Sequence, residues 1–227
     1  MRWRGPRPPE LKAFLSEGEP PLFFTFGSLL HEDPEAFTRL LVDAALRSGR
    51  RAIIQRGSSR LAQQSLPPGF LVVDGMLPYS WLFPRTACVV HHSGAGTCSL
   101  AFRAGTPQVL VPHAYDQFLW ADLGFDRGCA PAPVPASQLT AARLGDAIHE
   151  ALTSPRIRQA ATAVGEHVRG EQGLRVARQH IEQLLARLGG ARPATPGTRA
   201  DDEDDETSSG PRGRSALEQQ RLRRRSH

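Results

Sequence analysis

Short apolar runs alternate with longer stretches of helical period along most of this chain, and that alternation leaves few folds open. LFFTF (Leu22–Phe26) ends at Gly27. AIIQ (Ala52–Gln55) and FLVVDG (Phe70–Gly75) follow, ACVVHH (Ala87–His92) is the most apolar, and QVLVP (Gln108–Pro112) is closed by proline. These runs have the length of strands rather than helices. Between them, PEAFTRLLVDAALRSG (Pro34–Gly49) has Asp33 as N-cap, Pro34 at the first helical position and Gly49 as its stop. Gly96–Gly105, Asp116–Gly124 and Leu139–Leu152 also read as helices, and Arg156–Leu188 as a helical stretch broken near Gly170–Gly173. Continuously apolar strands separated by helices imply an α/β fold, a parallel sheet covered on both faces. In open sheets of this kind ligands bind beyond the carboxyl ends of the strands.

The 227 residues leave room for one ordinary domain with appendages. The folded domain is expected over residues 20–188, after a lead-in over 1–19. From about Gly189 the apolar periodicity stops. The acidic block Asp201–Glu206 and the arginine cluster Arg221–Arg225 mark 189–227 as a solvated, disordered tail. The net charge is +5, Lys12 is the only lysine, and the arginines are scattered. A mildly basic domain suits a small anionic ligand, whereas nucleic acid would call for a basic helix interleaved with aromatics. Cys88, Cys98 and Cys129 have apolar neighbours and form no CxxC pair, so neither a zinc site nor a disulfide framework is expected. A reducing cytoplasm is the plain expectation. No stretch has the form of a signal peptide or a transmembrane segment.

The segment with the clearest chemistry is VVHHSGAGTCSLAFRAG (Val89–Gly105). A buried strand runs into two histidines, and Ser93, Gly94, Ala95, Gly96 and Thr97 then open a helix. Small residues let backbone approach a ligand closely, and unpaired N–H groups with the helix dipole favour an anion there. A diphosphate is the natural guest. Thr97 adds a hydroxyl and His92 an imidazole, although His92 also reads as a core histidine, more so His91 on the opposite face of the strand. The segment is not a dinucleotide fingerprint, because the third glycine is missing, nor a P-loop, because no Gly-Lys-Ser/Thr follows.

HHSGAGT, then AFRAGTPQVLVP, then YDQFLWADLG resembles the C-terminal, donor-binding domain of UDP-sugar-dependent glycosyltransferases of family 1, with the GT-B fold. The sterol, macrolide and glycopeptide glycosyltransferases are the most alike. FTFGS (Phe24–Ser28) and LPYSWLFPR (Leu77–Arg85) match in order and spacing, and the resemblance runs from about Pro8 to about Leu188. It implies a Rossmann-like, nucleotide-sugar-binding domain with no metal cofactor. Gly27, Ser28, His92, Ser93, Gly94, Ala95, Gly96 and Thr97 would face the donor diphosphate. Met76, Leu77 and Tyr79 would receive the base. Asp116 and Gln117 would hold the sugar hydroxyls, since a carboxylate can accept two and an amide can both donate and accept. Bland roles stand beside these: Ser28 as a strand ending, Asp116 as a helix N-cap, Trp81 and Trp120 as packing aromatics.

Three positions depart from the family pattern. Ser93 replaces a glycine, Leu100 stands where plant relatives carry a ribose-binding glutamate, and His113-Ala114-Tyr115 replaces a Phe-x-Gly-like stretch. The larger departure is that nothing here resembles the N-terminal half, which carries the acceptor pocket and the catalytic base. The resemblance therefore implies no catalytic residue in this chain. It implies an inverting transferase of a UDP- or dTDP-activated hexose to a small lipophilic acceptor, active only with an acceptor-domain partner or a missing segment. The alternatives are a truncated or non-enzymatic sugar-nucleotide module and, with less support, a sugar-nucleotide epimerase.

Overall fold

Every apolar run named above forms a strand, and all five align in one parallel sheet. The computed structural model describes residues 8–189, so the tail expected at 189–227 lies, but for Gly189 at the end of a helix, outside the described residues. The strands are β1 (Leu22–Thr25), β2 (Ala52–Gln55), β3 (Phe70–Val73), β4 (Cys88–His91) and β5 (Gln108–Leu110), in the order β3-β2-β1-β4-β5. The register aligns Leu22 with Ala52 and with Cys88, and Val89 with Gln108.

Alternation along the strands divides the core between the two faces. Leu22, Phe24, Ile54 and Val90 point to one side, where α2 (Pro34–Arg47) packs with α6 (Ala141–Thr153). Phe23, Ile53 and Val89 point to the other, towards α1 (Pro9–Ser16), α3 (Tyr79–Leu82) and α4 (Ala95–Ala104). A third cluster joins α4 to α5 (Gln117–Asp126) and α7 (Pro155–Gly170) through Cys98, Phe102, Ala121 and Ala161. Burial on both faces is why the strands carry no polar alternation.

Local signals place the helix ends. Asp33 caps α2 by accepting from the Ala36 N–H at 2.8 Å, and Gly49 takes φ +67 beyond its end. Gly105 ends α4 in the left-handed region, φ +71. The lead-in is not featureless: α1 is anchored by buried Leu11, and Arg51 stacks over Phe14 and donates to the Phe14 carbonyl at 2.8 Å.

The chain divides into two units, Met1–Gly173 and Leu174–His227. The first contains the whole sheet. The described part of the second is the helix α8 (Gly173–Gly189) from Leu174 on, with Ile181, Leu184, Leu185 and Leu188 at the spacing of one apolar stripe. The break expected near Gly170–Gly173 falls between α7 and α8. Among the described residues no helix is long and apolar enough to cross a membrane.

Candidate functional site

The strand order reverses direction between β1 and β4, the point at which the loops leaving the carboxyl ends of an open α/β sheet diverge and ligands bind. The two loops are Phe26–Leu30 after β1 and His92–Gly94 after β4. Gly27, Ser28 and the start of α4, the residues singled out for a diphosphate, lie on these two connections.

Gly94 is the N-cap of α4 and no side chain caps the helix. Its first internal bond runs from the Cys98 N–H to the Gly94 carbonyl, 3.0 Å. The amides of Ala95, Gly96 and Thr97 therefore have no intrahelical acceptor. Gly96 is exposed, and a Cβ built on it would meet nothing within 4 Å. The amide of Ser93 is different. It donates to His91 Nδ1 at 3.1 Å, so the set of free amides starts after Ser93, later than the sequence suggested. The Ser93 side chain is fully buried and its Oγ has no partner, at φ +62.

His91 acts from beneath the turn. Its Nδ1 accepts from Ser93, so Nε2 carries the proton and meets Gln108 Oε1 at 2.9 Å. Burial pushes its pKa down to about 3, against the Gln108 hydrogen bond, which favours the charged form. A neutral, fully buried His91 is what that geometry requires.

His92 stands in a slot made by two glycines. A Cβ on Gly94 would lie 2.5 Å from its Nε2, and one on Gly27 3.0 Å from its Cε1. Absent side chains at 27 and 94 thus let the imidazole stand between the two connections. Burial lowers its pKa; the Thr25 backbone and Asp116 act the other way, and His113 adds to the lowering. His92 Nδ1 is buried with no hydrogen-bond partner. Ser28, which follows Gly27, is exposed.

Two histidines that the sequence did not assign to the site, His31 and His113, join this end of the sheet. The His31 ring stacks on Phe37 at 3.8 Å and meets His113 edge-on at 5.4 Å. Burial, helped by His113, brings the His31 pKa down to about 4. Burial also lowers His113, whose Nδ1 is 2.8 Å from the Val111 carbonyl. Both follow strand endings, which is the one signal that would have found them. Ser59 was missed as well. It donates to the Leu29 carbonyl at 2.6 Å and accepts from the His31 N–H at 2.8 Å, holding the β1 loop in place.

The segment expected to receive a base leaves β3 through Gly75, φ +72. Met76 is 82% exposed, whereas Leu77 is buried. Tyr79 is stacked on Phe83 at 4.6 Å, and its hydroxyl bonds to Gln55 Oε1. Burial raises the Tyr79 pKa, against its bonds to Thr25 and Gln55. After β5, Asp116 occupies the N-cap position of α5, yet its carboxylate makes no capping bond and it is exposed. Gln117 is nearly buried, and its Oε1 accepts from the amides of His113 at 2.8 Å and Ala114 at 3.3 Å. Its oxygen is committed to the loop, which leaves its NH2 as the group for a ligand. A separate cavity of about 420 Å³ lies at the amino ends of the strands, lined by Arg50, Thr86, Thr106 and Arg158 among others, and none of the residues above lines it. Among the described residues no group of three or more His, Cys, Asp or Glu is arranged to hold a metal ion.

Known proteins resemble this chain in sequence and fold. The chain is 40% identical over 177 residues to O-mycaminosyltylonolide 6-deoxyallosyltransferase of Streptomyces fradiae, covering 77% of this chain and 40% of that protein. It is 34% identical over 167 residues to a sterol 3-beta-glucosyltransferase of Arabidopsis thaliana, covering 74% of this chain and 26% of that protein. The chain thus spans less than half the length of these relatives. Among solved structures, the GT-B glycosyltransferase VinC in complex with dTDP superposes with a TM-score of 0.58 at 25% identity, over 75% of this chain and 42% of that one. Residues 39–179 match the sequence profile of the erythromycin biosynthesis protein CIII-like C-terminal domain. That match takes in β2 to β5 and the whole of α4 with its open start: this chain belongs to the CIII-like C-terminal domain family of family 1 glycosyltransferases.

Proposed function

We propose that this chain is the donor-binding part of an inverting glycosyltransferase that uses a nucleotide-activated hexose, UDP- or dTDP-linked. The observation that carries this reading is the uncapped start of α4 at the β1/β4 switch point. Three amides there lack acceptors in a position where the helix dipole favours a diphosphate. The dTDP complex of a structural relative at 25% identity supports the choice of ligand.

In this reading the Ala95, Gly96 and Thr97 amides, the Ser28 and Thr97 hydroxyls and the His92 imidazole take up negative charge as the diphosphate leaves. Donors fixed before the reaction stabilise that charge without reorganising. Asp116 and the Gln117 NH2 hold sugar hydroxyls, and Met76 and Leu77 receive the base. A lipophilic acceptor, such as the relatives' names indicate, and the base that deprotonates it belong to a partner or segment outside this sequence. The polypeptide by itself is then expected to bind donor without transferring sugar, in a cytoplasmic setting.

Thermal unfolding with UDP, dTDP and GDP tests the reading. At a hundredfold excess over Kd, a ligand specific for the native state adds about 2.7 kcal/mol, or roughly 5–10 °C for a domain of this size. A melting temperature indifferent to all three nucleotides would remove the donor-site assignment. Sugar transfer by the purified chain alone would remove the assignment of the base to another segment.

A further inference from the structure

One side chain holds both ends of the segment assigned to the base. Gln55 is the last residue of β2 and is 8% exposed. Its Nε2 donates to the Gly75 carbonyl at 2.7 Å, where the segment begins. Its Oε1 accepts from the Tyr79 hydroxyl, where the segment ends. The Thr25 hydroxyl, at the end of β1, donates to the same oxygen at 2.7 Å and lies 3.1 Å from the Tyr79 oxygen. The amide thereby satisfies two hydroxyls and one carbonyl at the carboxyl edge of the sheet, and ties β1, β2 and the connection after β3 together.

Between the two ties Leu77 is buried in the core, and only the residues before it have little else to fix them. Gly75 and Met76 are exposed, Gly75 is left-handed, and a Cβ on it would touch nothing within 4 Å. The first internal bond beyond them runs from the Tyr79 N–H to the Leu77 carbonyl, 2.9 Å. We infer that Gln55 is a positioning residue for the nucleoside base, acting by holding the Gly75–Tyr79 segment in the shape that receives it. The inference rests on the donor-site reading above. The loop after β1 has its own ties, from the Ser58 N–H to the Gly27 carbonyl at 3.2 Å and through Ser59. Those ties do not pass through Gln55. Ligands with a base should therefore depend on Gln55, and a bare diphosphate should not.

The test is calorimetric titration of the full chain and two variants with dTDP, UDP and inorganic pyrophosphate. Gln55→Met keeps the length of the side chain and removes its polar end. Tyr79→Phe removes one tie and leaves the ring packed on Phe83 and Phe23. Each variant is expected to weaken the nucleoside diphosphates by about five- to tenfold, the scale of one or two lost hydrogen bonds, and pyrophosphate by less than about twofold. Nucleoside diphosphates held as tightly as by the wild type would overturn the inference. So would pyrophosphate weakened in the same proportion, because that is the mark of a general structural loss. If Gln55→Met does not fold, Tyr79→Phe decides by the same split. A wild type that binds none of the three ligands defeats the donor-site reading, and this inference with it.

Discussion

Replacing Gly96 by valine should abolish most donor binding while leaving the fold intact. Gly96 lies in the first turn of α4, and a Cβ there meets nothing within 4 Å, so the substitution creates no clash. Valine is a slightly better helix residue than glycine, which makes the expected stability change neutral to favourable by a few tenths of a kcal/mol. The Cα–Cβ bond of a helical residue tilts towards the N-terminus. The two methyl groups would therefore overhang the amides of Ala95, Gly96 and Thr97 and keep a diphosphate away from them. Loss of one charge-assisted hydrogen bond costs about 1.5–3 kcal/mol, which is roughly ten- to a hundredfold in Kd. Calorimetric titration with dTDP, paired with thermal unfolding, reads both quantities. A Gly96→Val protein with unchanged melting temperature and a Kd within about twofold of the wild type would refute the reasoning.

Gly94→Ala should behave in the opposite way at first contact, since its Cβ would sit 2.5 Å from His92 Nε2 and force the imidazole out of its slot. Overpacking of this kind costs about 1–3 kcal/mol, and the displaced ring should lower affinity as well; unfolding and titration together detect it. Ser93→Gly should stabilise the chain by about 1 kcal/mol, because it relieves a left-handed serine with a buried, unpartnered hydroxyl, offset in part by the freer unfolded glycine; urea unfolding measures it. Stability should fall as pH drops from about 6.5 towards 3. His91 takes a proton at about 3 when folded and at 6.5 when unfolded, so the unfolded state binds the extra proton across that window. The slope from this residue approaches about 1.4 kcal/mol per pH unit well below pH 6.5, and His91→Gln should flatten the dependence of stability on pH between about pH 6 and pH 4.5 by nearly that amount.

Much of this site was legible in the sequence because its parts sit next to strand endings. The apolar runs located the five strands, and the Gly94-Ala95-Gly96-Thr97 sequence located an open helix start. Gly94 was read as freedom for backbone to approach a ligand, and Gly27 as part of a diphosphate loop by resemblance alone. In the structure those glycines also make room for His92, a tertiary relation between two connections that no local pattern carries. Ser93 was read as facing the diphosphate; its side chain is instead buried and its amide bound to His91, which depends on how the strand's last side chain turns back. Gln55 escaped notice because a single polar residue at the end of an apolar run looks like a terminator. Its partners are Thr25, Gly75 and Tyr79, 30, 20 and 24 positions away, brought together only by the parallel register of β1, β2 and β3. The α1 helix was missed for a related reason, since Arg51, far along the chain, is what secures it.

The sharpest trial of the account is amide-resolved NMR during titration with pyrophosphate. The N–H resonances of Ala95, Gly96 and Thr97 should move downfield together and saturate, while that of Ser93, already bonded to His91, should stay nearly still. Shifts gathered instead around Arg50 and Arg158 at the amino ends of the strands, with α4 unmoved, would contradict it.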